Sequence, residues 1–409
     1  MVFYCQRSSY DSEYSTTVAS CNPAKLEIIQ NGKKKKIDCF EVTFKDTVFF
    51  PEGGGQPDDC GTVNGIPVLR VLRRKDEAVH YLESSLDIGV DVVQKIDWTR
   101  RHDHMQQHTA QHLLSALAED MYGYTTSSWY LGDSVSYIEF NTPAIAPEEI
   151  LHIENTANEK LRLAIPVSVS EYNVDDPKLK ESHTRGLPDD VVGPVRVVTI
   201  EGVDTNMCCG THVRNLSDIQ AIKLLHTEKG KANKILLYFV AGNRVLKYLG
   251  ECFAREKQLN SILHCCPADH VQIIEKTQKD LKASLRSLRE SFKDLAAAEA
   301  QKILAEDPKP KVYIHHRKDG DMDYLNAIIN QINDESILKV LTAGEDKGPG
   351  ILVVHGPQDL VATVGPKLCE ILEGRGGGKT RFSAKVTALQ KRKEAENYIH
   401  SILNCNREC

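Results

Sequence analysis

The stretch N-M-C-C-G-T-H-V, Asn206 to Val213, places two adjacent cysteines, a glycine and a histidine within one short turn of chain. Three chemistries fit it: half of a zinc site, a thiol nucleophile beside a base, or a cysteine-rich turn. Gly210, Thr211 and Val213 are poor helix formers, so the segment is expected as a tight turn leaving a strand. Such a turn brings the thiolate of Cys208 and the imidazole of His212 to one point. Spacing alone leaves Cys208 and Cys209 as competing ligands, the other one buried as a small apolar residue.

A second histidine pattern lies upstream, in H-M-Q-Q-H-T-A-Q-H. Residues four apart on an α-helix project from one face about a turn apart. His104/His108 and His108/His112 are therefore the two candidate pairs, since His104 and His112 are two turns apart. His108/His112 is favoured because it lies deeper in the helix, next to Leu113 and Leu114. The two halves together offer His, His, Cys and His. Imidazoles with one soft thiolate suit a tetrahedral Zn²⁺. A Cys–His nucleophile pair would leave the helical histidines without a role.

The chain around these motifs has 409 residues and changes character several times, which implies several domains. The first part reads as β. Strand-like runs, Phe40 to Phe44 and Ile66 to Leu72, alternate with the hairpin dipeptides Asn31-Gly32 and Asn64-Gly65. A small barrel or sandwich is expected over 1–95. From Trp98 to about Met121 the pattern is helical, with Thr99 as the expected N-cap and Leu113, Leu114, Leu117 and Ala118 as the core stripe. A further helix from about Pro147 to Leu163 and strands near Val167, Val195 and Ile235 lack a βαβ rhythm, so 96–242 reads as α+β.

Residues 243–306 read as two long helices with a break at Cys265-Cys266-Pro267. Ile274, Thr277, Leu281, Leu285, Leu288, Phe292 and Leu295 follow steps of three and four, the spacing of a coiled-coil seam in an antiparallel hairpin. Asp307-Pro308-Lys309-Pro310 reads as a linker. Residues 307–409 then read as a small α/β domain carrying Gly374-Arg375-Gly376-Gly377-Gly378-Lys379.

Composition narrows the function classes. The hydrophobic fraction of 41% and charged fraction of 26% are those of an ordinary globular protein. No apolar run approaches the ~20 residues of a membrane span, and the N-terminus lacks a signal peptide's apolar region. Twelve cysteines without regular spacing fit free thiols in a reducing compartment better than a disulfide scaffold. The expectation is a cytoplasmic protein. The net charge of −6 argues weakly against nucleic acid, but a footprint is local. Arg375, Lys379, Arg381, Lys385, Lys391, Arg392 and Lys393 form a segment without an acidic residue, the candidate contact for a nucleic-acid backbone. Lys33 to Lys36 form a shorter run that reads as a solvated hairpin tip.

H-T-A-Q-H-L-L (His108 to Leu114) and C-C-G-T-H-V (Cys208 to Val213) resemble the zinc motifs of the alanyl-tRNA synthetase editing domain and its freestanding AlaX relatives. F-F-P-E-G-G-G-Q-P-D-D (Phe49 to Asp59) is similar to the glycine-rich motif in the AlaX barrel. The order of barrel, editing domain, helical hairpin and glycine-containing C-terminal domain matches the long AlaX form over nearly the whole chain, most loosely in the last hundred residues. The resemblance implies hydrolysis in trans of Ser-tRNA(Ala), and to a lesser extent Gly-tRNA(Ala). It implies one Zn²⁺ per chain on His108, His112, Cys208 and His212. Cys209 departs from the family, which usually has glycine there.

Editing suits these residues. A cavity selecting alanine cannot strongly reject serine, whereas a second site that requires the hydroxyl can. Thr109, Gln107 and the loop Gly53, Gly54, Gly55 and Gln56 are the candidate hydroxyl readers, with Gln107 as a positioning residue. The loop is not a P-loop, because no Lys-Ser/Thr follows it. A four-ligand zinc has no open position, so no general base is assigned. Arg375, Lys379, Arg381 and Lys385 are the expected tRNA contacts. Pairing of two copies through the hairpin or the C-terminal domain is a further expectation. The competing reading is a zinc-structured tRNA-binding or scaffold protein without deacylase activity. A complete synthetase is the disfavoured reading, because the segment before Trp98 is short and β-rich and no ATP-binding motif is found.

Overall fold

Strand β1 decides how the N-terminal half closes. The computed structural model describes residues 2–30, 33–173, 176 and 195–405. The Asn31-Gly32 dipeptide lies outside them. The protein is mixed α+β and separates into two units, Met1–Lys257 and Gln258–Cys409.

The first unit begins with a short helix, α1 (Tyr4–Arg7), followed by β1 (Glu13–Gln30), β2 (Lys33–Phe44), β3 (Gly61–Val63), β4 (Ile66–Arg74), β5 (Glu77–Leu82) and β6 (Asp91–Ile96). β1 pairs with β6 through its first residues and with β2 through the rest, with a register shift between Val18 and Ser20. One irregular strand thus serves both ends of the sheet, closing a barrel in the order β1-β2-β5-β4-β3-β6. In β6 Val92, Gln94 and Ile96 face inward, alternating with exposed residues. They join Val42, Phe49, Phe50, Val63, Val71 and Leu82 in the barrel core.

Beyond the barrel come α2 (Trp98–Tyr122), β7 (Thr126–Leu131), β8 (Ser136–Phe140), α3 (Pro147–Arg162), β9 (Val167–Tyr172), β10 (Val195–Ile200), β11 (Asp204–Met207), β12 (Ile222–Lys229) and β13 (Ile235–Ala241). The N-cap of α2 is Asp97, whose carboxylate accepts from the Arg100 N–H, not Thr99 as expected. Gly123 ends the helix at φ 71°, a left-handed position glycine takes without Cβ strain. The expected stripe Leu113, Leu114, Leu117 and Ala118 is buried with Ile138, Phe140, Leu237 and Phe239. Each such large side chain contributes about 1.5–3 kcal/mol by leaving water. Two sheets flank the helices, β12-β13-β8-β7 and β11-β10-β9.

Helix α4 (Asn243–Leu263) runs across the division between the units, and α5 (His270–Leu304) follows the break expected at Cys265-Cys266-Pro267. The second unit adds β14 (Val312–Arg317), α6 (Met322–Ile332), β15 (Leu338–Gly344), β16 (Gly350–His355), α7 (Gln358–Ile371), β17 (Arg375–Gly377), β18 (Arg381–Val386) and α8 (Arg392–Cys405). The sheet order is β14-β15-β16-β18-β17, with β14 parallel to β15 and the other pairs antiparallel.

Helix α5 departs from the expected seam. Phe292, Ala296, Ala300 and Ile303 are buried with Tyr324, Leu325 and Ile328 of α6 and with Leu341 and Val353 of the sheet. Leu295, assigned to the seam, is 40% exposed, and Ile274, Leu281, Leu285 and Leu288 are exposed as well. Packing against α6 selects the 292/296/300/303 face. The small alanines there permit close approach, which a leucine-only count overlooks. Among the described residues no helix is long and apolar enough to cross a membrane.

Candidate metal centre

Two segments far apart in sequence meet at this centre. The α2 spacing presents His108 and His112 from one helix face, their ring centroids 5.2 Å apart. The antiparallel β10–β11 pair delivers the turn that follows Met207, with Val197 opposite Met207. The Cys208 N–H donates to the Arg196 carbonyl at 3.2 Å, and Arg196 Nη1 donates to the Cys208 carbonyl at 2.7 Å. Gln6 of α1 donates from Nε2 to the Cys209 carbonyl at 2.6 Å. The cysteine pair is thus clamped through its backbone, leaving the Cys208 sulfur to face the helix.

Ligand atoms of His108, His112, Cys208 and His212 all lie within 4.8 Å of one another. Cys208 Sγ is 3.3 Å from His108 Nε2 and 3.3 Å from His212 Nε2. Zinc bond lengths of about 2.0–2.3 Å in a tetrahedron set ligand–ligand edges of roughly 3.3–3.8 Å, so the two spacings from Cys208 fit such an ion and the widest pair would close on binding it. His104, one turn earlier, stands outside the cluster. Burial pushes its pKa down to about 4.

Each histidine is oriented from behind. His108 Nδ1 lies 2.9 Å from Gln56 Oε1, and His212 Nδ1 lies 3.1 Å from Thr109 Oγ1. His112 Nδ1 stands 3.6 Å from Asp204 Oδ2. A partner at Nδ1 fixes the ring and turns Nε2 toward a metal. Electrostatics favour the ligating form at three of the four donors, and at His112 a proton stands where a cation would replace it. Burial alone would raise the Cys208 thiol, but His108, His212 and His112 hold it well below the usual thiol range. Burial pushes His108 down and His212 down to about 3, so both favour the neutral form that ligates. Burial also opposes charge on His112, yet the Cys208 sulfur and Asp204 raise it to about 9.

Gly210 is required by packing. A Cβ there would sit 2.1 Å from the His108 ring and 2.9 Å from Gln56 Oε1. The Phe49–Asp59 segment reaches the centre through buried polar anchors. The Asp59 carboxylate pairs with the Arg101 guanidinium of α2 and accepts the Phe50 N–H at 2.7 Å. Arg101 also donates to the carbonyls of Ser9 and Val48, at 3.0 and 2.6 Å. Asp58 accepts the Val71 N–H at 2.7 Å. These bonds fix the glycine-rich loop against the helix that carries the histidines.

The loop residues divide in role. Gly53 and Gln56 exchange backbone bonds of 3.1 and 3.0 Å, closing a tight turn. Gln56 is fully buried; besides facing His108, its amide meets the Thr211 hydroxyl at 2.8 Å and the Thr211 N–H at 3.0 Å. It orients the turn and the His108 ring and does not line the cavity. Gly54 opens onto a cavity of about 740 Å³ that is also lined by His108, His112, Cys208, Cys209, Trp129 and Asp204. Gly55 presses on the edge of Trp129, where a Cβ would lie 2.6 Å from Nε1.

The two helical candidates turn away from that cavity. Gln107 brackets the Ala241 peptide, donating to its carbonyl at 2.9 Å and accepting its N–H at 3.1 Å. Its amide ties α2 to β13. Thr109 accepts the Val213 N–H at 3.2 Å and faces His212, so it positions a ligand. Sequence reading did not single out Asp204, Arg196, Gln6 or Trp129. Asp204, Arg196 and Trp129 show only polarity or aromaticity on a strand, and Gln6 only a polar side chain on the short α1; long-range packing brings them to the site.

Of the basic candidates, Arg375, Lys379 and Lys385 are exposed, and Arg375 stands opposite Lys385 across β17 and β18. Arg381 is half-buried and bonded to Asn326. Lys391 and Arg392 are paired with Glu373 and Asp346.

Residues 195–238 match the model of the family described as the threonyl and alanyl tRNA synthetase second additional domain. The chain is 47% identical to alanyl-tRNA editing protein Aarsd1-B of Xenopus laevis, covering 99% of this chain and 98% of that one. It is 48% identical to alanyl-tRNA editing protein Aarsd1 of Mus musculus, with the same coverage. Alanyl-tRNA editing protein AlaX-L of Pyrococcus horikoshii is 29% identical over 64% of this chain and 65% of its own length. With Cys208 and His212 inside the matched segment and full-length identity near one half, the chain belongs to the alanyl-tRNA editing protein family.

Proposed function

We propose that this protein is a trans-editing hydrolase. It deacylates Ser-tRNA(Ala), and to a lesser extent Gly-tRNA(Ala), at a zinc-containing site in the cytoplasm. The observation that carries this reading is the His108/His112/Cys208/His212 cluster, three of whose members, His108, His112 and Cys208, line a cavity beside Gly54 of the glycine-rich loop.

Zn²⁺ held by these four residues would supply Lewis-acid polarisation at the ester or fix the turn that shapes the cavity. The chain's own groups do the rest. Gln56, Thr109 and Asp204 hold the three imidazole rings in place. Arg196 and Gln6 fix the Cys208-Cys209 backbone. Gly54 lets the loop backbone approach the aminoacyl ester. Exposed Arg375, Lys379 and Lys385 contact the tRNA backbone, with Arg381 bracing their sheet through Asn326. The segments 1–95, 96–242, 243–306 and 307–409 are the proposed division into barrel, editing, helical and C-terminal parts, with α5 of the third sharing a core with α6 and the sheet of the fourth. The exposed leucines of α5 are where a second copy would pair.

A second reading has one observation in its favour. Four protein ligands complete a tetrahedron, the mark of a structural zinc. In that reading the protein binds or scaffolds tRNA without deacylating it. Single-turnover deacylation of Ser-tRNA(Ala) by the purified full-length chain separates the two. Release of serine well above the uncatalysed rate supports the hydrolase; tRNA binding without release supports the scaffold.

A further inference from the structure

Trp129 stands against the ring of His108. Its ring centroid lies 4.6 Å from that of His108, tilted by 36°. Trp129 is partly exposed and lines the cavity together with His108, His112 and Cys208. The strand that carries it, β7, is the edge strand of its sheet.

The glycine-rich loop is shaped around this ring. Gly55 takes φ +83°, and a Cβ would meet Trp129 Nε1 at 2.6 Å and Cε2 at 2.7 Å. Gly54, at φ +60°, touches Cys209 in the same way, where a Cβ would lie 2.8 Å from Sγ. The loop edge, the indole and the Cys209 sulfur therefore form one continuous wall beside the ligands. A flat aromatic surface on that wall is one ring away from a metal-ligating imidazole.

The substrate of the proposed reaction carries its groups in the matching order. Its ester sits on the terminal ribose of tRNA, and the base is attached to that same ribose. A base seated on the indole leaves its ribose, and the ester on it, directed toward the cluster. Aromatic side chains hold bases in this way without base-specific hydrogen bonds.

We propose that Trp129, held edge-on by Gly55, is the stacking platform for the terminal adenine of the aminoacyl-tRNA. This inference rests on the deacylase reading and names the nucleoside subsite of that reaction. It makes Trp129 a substrate-binding residue.

The test uses the full-length protein labelled with 5-fluorotryptophan. The chain has two tryptophans, Trp98 and Trp129, so two fluorine resonances are assigned by comparison with Trp129→Phe. The probe is 3′-deoxy-3′-(serylamino)adenosine, a non-hydrolysable mimic of the charged terminus; serinamide, which lacks the base, is the control. The Trp129 resonance shifts with the adenosine probe and not with serinamide, and the Trp98 resonance stays in place. Loss of the stack in Trp129→Ala weakens inhibition of deacylation by the probe about 5- to 150-fold. Trp129→Phe stays within about threefold of wild type, a smaller ring still giving a stack.

An active enzyme, inhibited by the probe, with an unmoved Trp129 resonance overturns the inference and leaves the deacylase reading intact. So does an unchanged inhibition constant in Trp129→Ala with full zinc content. If the alanine variant loses metal, the wild-type resonance and Trp129→Phe decide. A protein that deacylates nothing overturns both.

Discussion

Gln56 Oε1 lies 2.9 Å from His108 Nδ1, so a residue of the glycine-rich loop sets the orientation of a ligand on α2. The same oxygen accepts the Thr211 N–H at 3.0 Å, between the two ligands of the other segment. One buried amide thereby coordinates both halves of the centre.

Replacing it tests that coupling. Gln56→Ala is expected to weaken zinc affinity about 10- to 100-fold, the usual cost of losing a histidine's outer partner. Gln56→Glu keeps an acceptor for His108 and retains most of the affinity. Competition with a chromogenic chelator measures both. Equal affinity in wild type and Gln56→Ala would remove Gln56 from the centre.

Asp59 and Arg101 are both fully buried, and their pair joins the loop to the histidine helix. Removing one partner strands a buried charge, so Asp59→Ala is expected to destabilise the first unit by about 3–5 kcal/mol. Urea denaturation followed by Trp98 and Trp129 fluorescence reads this. A loss under about 1 kcal/mol would mean that the pair is solvated in solution.

His80 gives a pH prediction remote from the metal. It is buried in the barrel, beside the Thr47 hydroxyl at 2.9 Å, and burial lowers its pKa to about 4. An unfolded histidine titrates near 6.5, so the unfolded chain takes up this proton first as pH falls. The neutral ring's stability is therefore complete above pH 6.5. It declines between about 6.5 and 4, by on the order of 3 kcal/mol, and levels off below. His104 adds a decline of the same sign. In His80→Gln the slope of stability against pH over that window is expected to be shallower; an unchanged slope contradicts the assignment.

The basic edge of the second unit is tested by charge removal, not truncation. Cutting at Asp307 would expose Phe292, Ala296, Ala300 and Ile303 of α5, which pack on α6 and the sheet. Arg375→Gln/Lys379→Gln/Lys385→Gln leaves that core untouched. If all three contact phosphates, the salt slope of tRNA binding falls by about 2–3. Filter binding from 50 to 200 mM salt gives the slope. No change places the contact elsewhere.

The His-x-x-x-His and Cys-x-x-x-His spacings were readable because helix periodicity and a tight turn dictate geometry locally. The α2 core stripe and the hairpin signal at Asn64-Gly65 were readable for the same reason. Roles set by long-range packing were not. Thr109 and Gln107 look like active-site polar residues on a helix, yet Val213 and Ala241, more than a hundred residues away in sequence, claim their hydrogen bonds. Gln56 reads in the sequence as a candidate hydroxyl reader on a loop, yet it is buried between the two halves of the centre. The α5 seam failed at Leu295 because α6, invisible to a helical wheel, selects the alanine face. Cys209, where the resemblance implied a glycine, packs its sulfur against Gly54.

The most direct measurement is turnover of Ser-tRNA(Ala) by wild type, Cys208→Ala and Cys209→Ala, with zinc content determined on each sample. The account predicts deacylation with one zinc per chain in wild type. Cys208→Ala loses both, and Cys209→Ala retains zinc. A wild type that holds zinc and binds tRNA(Ala) but releases no serine would contradict it.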